Sequence, residues 1–154
     1  MNNQFFQLIK AQAKFYTSPI HGIAHWQRVE NYGLYLADFS NADKVVVSYF
    51  AYLHDLQREN ENKDPEHGLR AAQFIDKHAD QIDLSESQLS TLIYACQHHT
   101  KGRETNCATV ATCWDADRLD LTRLGIEPNE NYLLTTEAKR IAIEKDFKLL
   151  RSLF

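Results

Sequence analysis

Six residues combine the side-chain types and spacing that metal chemistry uses: His25, His54, Asp55, His67, His99 and Asp117. His54 and Asp55 are adjacent, at the end of the almost wholly apolar run Tyr49-Phe50-Ala51-Tyr52-Leu53. Histidine offers a nitrogen ligand and aspartate a hard oxygen ligand. An unpaired polar group in an apolar interior costs roughly 2–7 kcal/mol, and a charge more. The pair therefore needs partners, either as a hydrogen-bonded helix cap or as ligands to a cation.

Helical phase favours the cation. His25 falls on the stripe of Val29 and Tyr32, His54 on that of Val47 and Phe50, and His67 on that of Ala71 and Phe74. His99 is in phase with Leu89, Leu92 and Cys96, and Asp117 with Val110 and Trp114. His98 is rotated about 100° away from His99. Any one of these has an ordinary explanation as a hydrogen-bonded core residue. A shared cation removes all the desolvation problems at once. Histidine and carboxylate without thiolate suit Fe, Mn, Co, Ni or Zn, with Mg also admitted, as one or two ions.

The elements that would position these residues are helices. Five glycines and three prolines punctuate the chain, and no segment shows sustained two-residue alternation. Phe6, Ile9, Ala13 and Tyr16 predict a first helix, stopped by Ser18-Pro19. A second carries His25, Val29, Tyr32, Leu36 and Phe39. A third starts at Ser40 or Asn41, with Ser40 and Asp43 as a capping box, and runs through His54. Asp64-Pro65-Glu66 predicts the start of a fourth, with Asp64 as N-cap. Ser85 and Gln88 form a capping box for a fifth, ending near Thr100 before Gly102. A sixth covers roughly 107–121, and a last one about 135–152 aligns Ile143, Phe147, Leu150 and Phe154. The expectation is a compact all-α bundle of about six or seven helices in one domain, 1–154, with its core about 18–125 and the last helix packed upon it.

The totals narrow the classes. A composition with 44% hydrophobic and 25% charged residues is that of an ordinary globular domain. The net charge of −4 advertises no nucleic-acid polymer as partner. Cys96, Cys107 and Cys113 are an odd number without a CxxC pair, which disfavours both a disulfide framework and thiolate zinc and suits the cytoplasm. The sequence shows no signal peptide and no membrane-spanning run. Homo-oligomerisation remains compatible with it.

The order His25, His54-Asp55, Asp117 resembles the H…HD…D signature of the HD superfamily of metal-dependent phosphohydrolases, over roughly residues 18–125. The resemblance implies that these four residues bind one metal. Subfamilies with two further histidines bind a second, and His67 in Asp64-Pro65-Glu66-His67-Gly68 and His99 in His99-Thr100-Lys101-Gly102 occupy those places. The stretches 54–61, 64–68 and 112–121 look like a small bacterial HD branch without an established substrate. The His-Thr-x-Gly stretch is similar to that of HD-class diadenosine tetraphosphate hydrolases. HD-class 5'-deoxynucleotidases and guanosine-tetraphosphate hydrolases carry an acid four positions after the HD histidine, where this chain has Arg58. The HD-Gly-Tyr-Pro element of cyclic-di-GMP phosphodiesterases is absent.

The function so implied is hydrolysis of a small phosphorylated molecule, a nucleotide or dinucleoside polyphosphate foremost, by metal-activated water. Asp55 would bridge the two ions. Arg58 and Arg118 are the expected catalytic cations; Arg58, Lys101, Arg103 and His98 are the expected substrate contacts. Glu61 could orient a ligand or water. His21 sits in a loop marked by Pro19 and Gly22, as a substrate contact or a structural residue. Two other readings use the same residues: an HD-fold di-iron oxygenase, and a non-catalytic binding module that retains its metal.

Overall fold

A computed structural model describes all 154 residues as eight α-helices and three short 3₁₀ turns, with no strand. The helices are α1 (Asn3–Gln12), α2 (Ile23–Ser40), α3 (Lys44–Leu53), α4 (His67–Lys77), α5 (Glu86–His98), α6 (Ala108–Leu119), α7 (Thr136–Glu144) and α8 (Phe147–Ser152). α2 packs on α3 and α6, α4 on α5, and α5 closes the bundle against α3 and α6. One cluster of 32 buried apolar residues runs through it, with Trp26, Trp114, Phe5 and Phe50 among its largest fully buried members. No helix is long and apolar enough to cross a membrane.

Helix ends differ from the sequence expectation wherever a distant group competes for a capping side chain. α2 runs on through Ser40 and stops at Asn41, which takes a left-handed φ of 57°. Ser40 instead bonds Thr112 Oγ1 at 2.8 Å, and Asp43 is the N-cap of α3, accepting from the Val45 and Val46 amides. The second oxygen of Asp43 accepts from Gln88 Nε2 at 2.7 Å, tying the start of α3 to α5. The Ser85–Gln88 capping box forms.

Asp64 does not cap α4, which starts at His67. Its carboxylate accepts from the Glu59 amide at 2.8 Å and from Arg70 at 2.6 and 2.7 Å, closing the loop after the HD pair. α1 ends at Gln12, before Ala13 and Tyr16. The expected last helix is two helices, broken at Lys145, whose φ is 54°. Ile143 and Phe154 are accordingly exposed while Leu150 is buried, and Phe39 also lies outside the core.

Gly68 matters to the site. A Cβ there would stand 2.7 and 2.9 Å from the carbonyl oxygens of Cys96 and Gln97. Its absence lets α4 approach the end of α5, and it follows directly on His67.

Candidate metal centre

Helix ends supply most of the site. His54 is the C-cap of α3, one turn after Phe50, on whose ring it stacks with centroids 4.9 Å apart. His67 opens α4 and His99 caps α5, while His25 lies in the first turn of α2 and Asp117 in the last turn of α6. Their side chains meet as two triads, His25–His54–Asp117 and Asp55–His67–His99.

In the first, His25 Nε2 stands 3.1 Å from His54 Nε2 and 3.4 Å from Asp117 Oδ1. In the second, His67 Nε2 stands 2.9 Å from His99 Nε2 and 3.2 Å from Asp55 Oδ1. Asp55 also joins the first through its other oxygen, Oδ2, 3.6 Å from the Nε2 atoms of both His25 and His54. One carboxylate thus faces both triads.

The tautomers test whether these groups fit a cation. His54 Nδ1 lies 3.1 Å from the carbonyls of Phe50 and Ala51, His99 Nδ1 2.7 Å from the Cys96 carbonyl, and His67 Nδ1 against the Asp64 carbonyl. A carbonyl only accepts, so each of these rings carries its proton on Nδ1 and presents a bare Nε2 lone pair. His25 Nδ1 donates to Asp120 Oδ2 at 2.7 Å with the same result.

The Nε2–Nε2 contacts are then lone pair facing lone pair, which is repulsive unless a cation sits between. Donor atoms about 2.1 Å from a shared metal stand roughly 3.0–3.4 Å apart, close to the separations seen here. The donor set fits divalent metal, and pinning of the outer nitrogen by a carboxylate or carbonyl is the usual arrangement behind metal-bound histidine.

Electrostatics agree. Asp55 is 5% exposed. Burial acts to raise its pKa, but the imidazoles around it, His54 first and then His25, His67 and His99, outweigh that and hold it well below the usual carboxylate range. Asp117 is lowered in the same way, its burial opposed chiefly by His54. Burial would lower His25, yet its bonds to Asp120 and Asp55 raise it. The two carboxylates are thus held ionised, as ligands to a cation must be, and the place on His25 Nε2 that a proton would take is the one a metal would fill.

A cavity of about 350 Å³ opens on the centre. Asp55, His99 and Asp117 lie in its wall together with His21, Arg58, Arg103 and Arg123, and Leu121, Leu124, Tyr132 and Leu133 supply an apolar side. Arg58 Nε donates to Asp55 Oδ1 at 2.8 Å, with longer contacts, both 3.4 Å, from NH1 to the Asn60 carbonyl and from NH2 to His67 Nε2, and the guanidinium lines the cavity. The Arg103 guanidinium rests on the Tyr132 ring at 4.4 Å from its centroid, with no carboxylate paired to it.

Four of the residues considered from sequence have surroundings other than a free place at the centre. Arg118 is buried and its donors are taken by carbonyls: NH1 by Tyr132 at 2.6 Å, and NH2 by Gly102 and, at 3.4 Å, by His99. It braces the loop that carries His99 against the segment around Tyr132 while also standing in the cavity wall. Lys101 and His98 line a separate shallow groove with Pro65 and Glu66, outside this cavity. His98 stacks on Tyr94 instead. Glu61 lines none of the cavity either.

Asp120, Arg28 and Arg123 were not singled out from sequence. Asp120 is fully buried, orients His25, and is held by Arg28 Nε at 2.7 Å and Arg123 NH1 at 3.3 Å. The signal was there in spacing: Arg28 is three residues after His25 and Asp120 three after Asp117, one turn from each ligand.

No family model and no curated protein matches the chain. Among solved structures it is similar to a predicted HD superfamily hydrolase from an uncultured Thermotogales bacterium, with a TM-score of 0.73 and 21% identity over 97% of this chain and 87% of that one. The likeness defines the class of fold: an all-α bundle of the HD-domain type, in which two His/Asp groups could hold divalent metal.

Proposed function

We propose that the chain is a metal-dependent phosphohydrolase of the HD superfamily, acting on a small phosphorylated molecule. The observation that carries this reading is the shared Asp55: its two oxygens face two triads whose histidines are all pinned to present Nε2. His25, His54, Asp117 and Asp55 would hold one ion, and His67, His99 and Asp55 the other. Four imidazole nitrogens among six ligands favour Fe, Mn, Co, Ni or Zn over Mg, which prefers oxygen.

Bound divalent metal lowers the pKa of its water from about 15.7 towards 7 and polarises phosphoryl oxygens. The chain's own part is to place charge around the reacting group. Arg58 sets a guanidinium beside Asp55, where negative charge develops on the phosphoryl oxygens. Arg123, anchored by Nε to the Ile20 carbonyl at 3.0 Å, adds a second. This cationic wall favours hydrolysis of an anion over oxygenation.

The cavity lies near the small end of the usual ligand range, about 300–1,000 Å³. It suits a mononucleotide, with the base towards Leu121, Leu124 and Tyr132; a dinucleoside polyphosphate would extend beyond it. The cytoplasm is the proposed setting, with no nucleic-acid polymer as partner.

The test is metal analysis of the purified protein, followed by a phosphate-release screen over nucleotides and dinucleoside polyphosphates with and without chelator. Chelator-sensitive release supports the reading. Bound metal with no release from any substrate, or oxygen uptake by the iron-loaded protein in its place, would sink it.

A further inference from the structure

The four histidines of the two triads are pinned through Nδ1; His21 has the reverse arrangement. It lies in the turn before α2, is 8% exposed, and sets its ring edge-on to His25 with centroids 6.5 Å apart. Its Nδ1 is sealed from solvent and has no hydrogen-bond partner, so nothing accepts a proton there. The other ring nitrogen is the accessible one, and the ring forms part of the cavity wall with Asp55, Arg58, Asp117 and Arg123.

A neutral imidazole has one N–H. With no acceptor at Nδ1, the proton belongs on Nε2, where the cavity can supply one. His21 therefore offers the site a donor, in contrast to the bare Nε2 atoms of the ligands.

The turn is built to hold the ring in place. The amides of Ile20 and His21 both donate to Ser18 Oγ, at 3.0 and 3.2 Å, and Arg123 Nε holds the Ile20 carbonyl. On the other side Gly22 is pressed against the carbonyls of Phe15, Tyr16 and Ser18, leaving no room for a Cβ. Burial, helped by the charges of Arg58 and Arg123 and opposed by Asp55, pushes the His21 pKa down to about 4. With no acceptor for a second proton at the sealed Nδ1, the donor is a neutral N–H, which adds no charge to a wall already rich in arginine.

We propose that His21 is a substrate-contacting residue, donating Nε2–H to a phosphoryl oxygen of the anion bound at the centre, alongside Arg58 and Arg123. This rests on the phosphohydrolase reading above. A hydrogen bond to a charged group contributes about 1.5–3 kcal/mol, equivalent to roughly 10- to 150-fold in affinity.

The test uses the zinc-loaded full chain and inorganic phosphate as probe, with His21→Phe to keep a ring without a donor and His21→Gln to keep a donor. Equilibrium dialysis with labelled phosphate should show affinity at least tenfold lower for His21→Phe and largely restored in His21→Gln, with equal zinc content in all three proteins. Long-range ¹H–¹⁵N NMR of the unaltered protein should find the His21 proton on Nε2, with a shift when phosphate is added. Equal phosphate affinity in His21→Phe and the parent, or a proton on Nδ1, overturns the role of His21 alone. Failure of the unaltered zinc protein to bind phosphate overturns the phosphohydrolase reading, and this inference with it. The NMR result stands even where a variant fails to fold.

Discussion

Replacing Asp120 with Asn separates the two ions. The Asp120 carboxylate accepts from His25 Nδ1 at 2.7 Å through Oδ2, and from Arg28 Nε at 2.7 Å and NH2 at 3.1 Å through both oxygens. All of these partners are donors, and an amide has only one acceptor oxygen. If the Asn oxygen faces His25, its NH2 meets the Arg28 Nε–H. If it faces Arg28, its NH2 meets His25 Nδ1, the ring proton moves to Nε2, and the lone pair that the first triad needs is lost.

Loss of such an orienting partner costs about 10- to 100-fold in metal affinity, or roughly 1.4–2.8 kcal/mol. Stability falls as well. Removing one member of a buried ion pair costs about 3–5 kcal/mol, and the lower end applies because the Arg28 side chain keeps 18% exposure. The second triad is untouched, since carbonyls pin His67 and His99.

Titration of the metal-free variant with Zn²⁺ against a competing chelator should therefore show one binding step weakened and the other unchanged. First-site affinity within twofold of the parent would refute the reasoning, and equal weakening of both steps would refute the division into two triads.

Asp55→Ala should remove both binding steps together, because each triad uses one of its oxygens; two intact steps in the same titration would exclude the bridging role. Gly68→Ala should weaken only the second step and lower stability by about 1–3 kcal/mol, since its Cβ would push α4 away from the Cys96 and Gln97 carbonyls; zinc titration and thermal melting read both. Asp64 gives a pH effect: burial acts upward, but Arg70 and the Glu59 amide pull its pKa from 3.8 down to about 2 in the folded chain. A pKa lower in the folded than in the unfolded state stabilises above about pH 4, and the contribution is lost as pH falls towards 2. The melting-temperature difference between the parent and Asp64→Asn should shrink across that window; a constant difference would contradict it.

Helical phase made the six metal-capable residues legible because an inward histidine on an apolar stripe departs from a strict rule. The assignment to triads was not legible at the same level. Successive residues on a helix point about 100° apart, so His54 and Asp55 cannot face a single point equally. The structure resolves this by setting His54 in one triad and Asp55 between the two, an arrangement that depends on where α4 begins and α5 ends rather than on the HD pair itself. Gly68 is the sequence feature that controls it, and a glycine in a helix start says nothing until the carbonyls it approaches are known.

The arginines show the same limit from the other side. Position beside Asp117 suggested catalysis for Arg118, yet what a guanidinium can do depends also on the groups that already hold it. Arg118 spends donors on the carbonyls of His99, Gly102 and Tyr132, groups that every residue carries and that no side-chain pattern reveals. Arg103 keeps its donors because its flat face is occupied by Tyr132, a residue 29 positions away along the chain. The segment around Tyr132 thus acts twice, bracing one arginine through its backbone and holding another at the cavity through its ring. That segment lies beyond all six metal-capable residues in the sequence, so no motif among them reveals it.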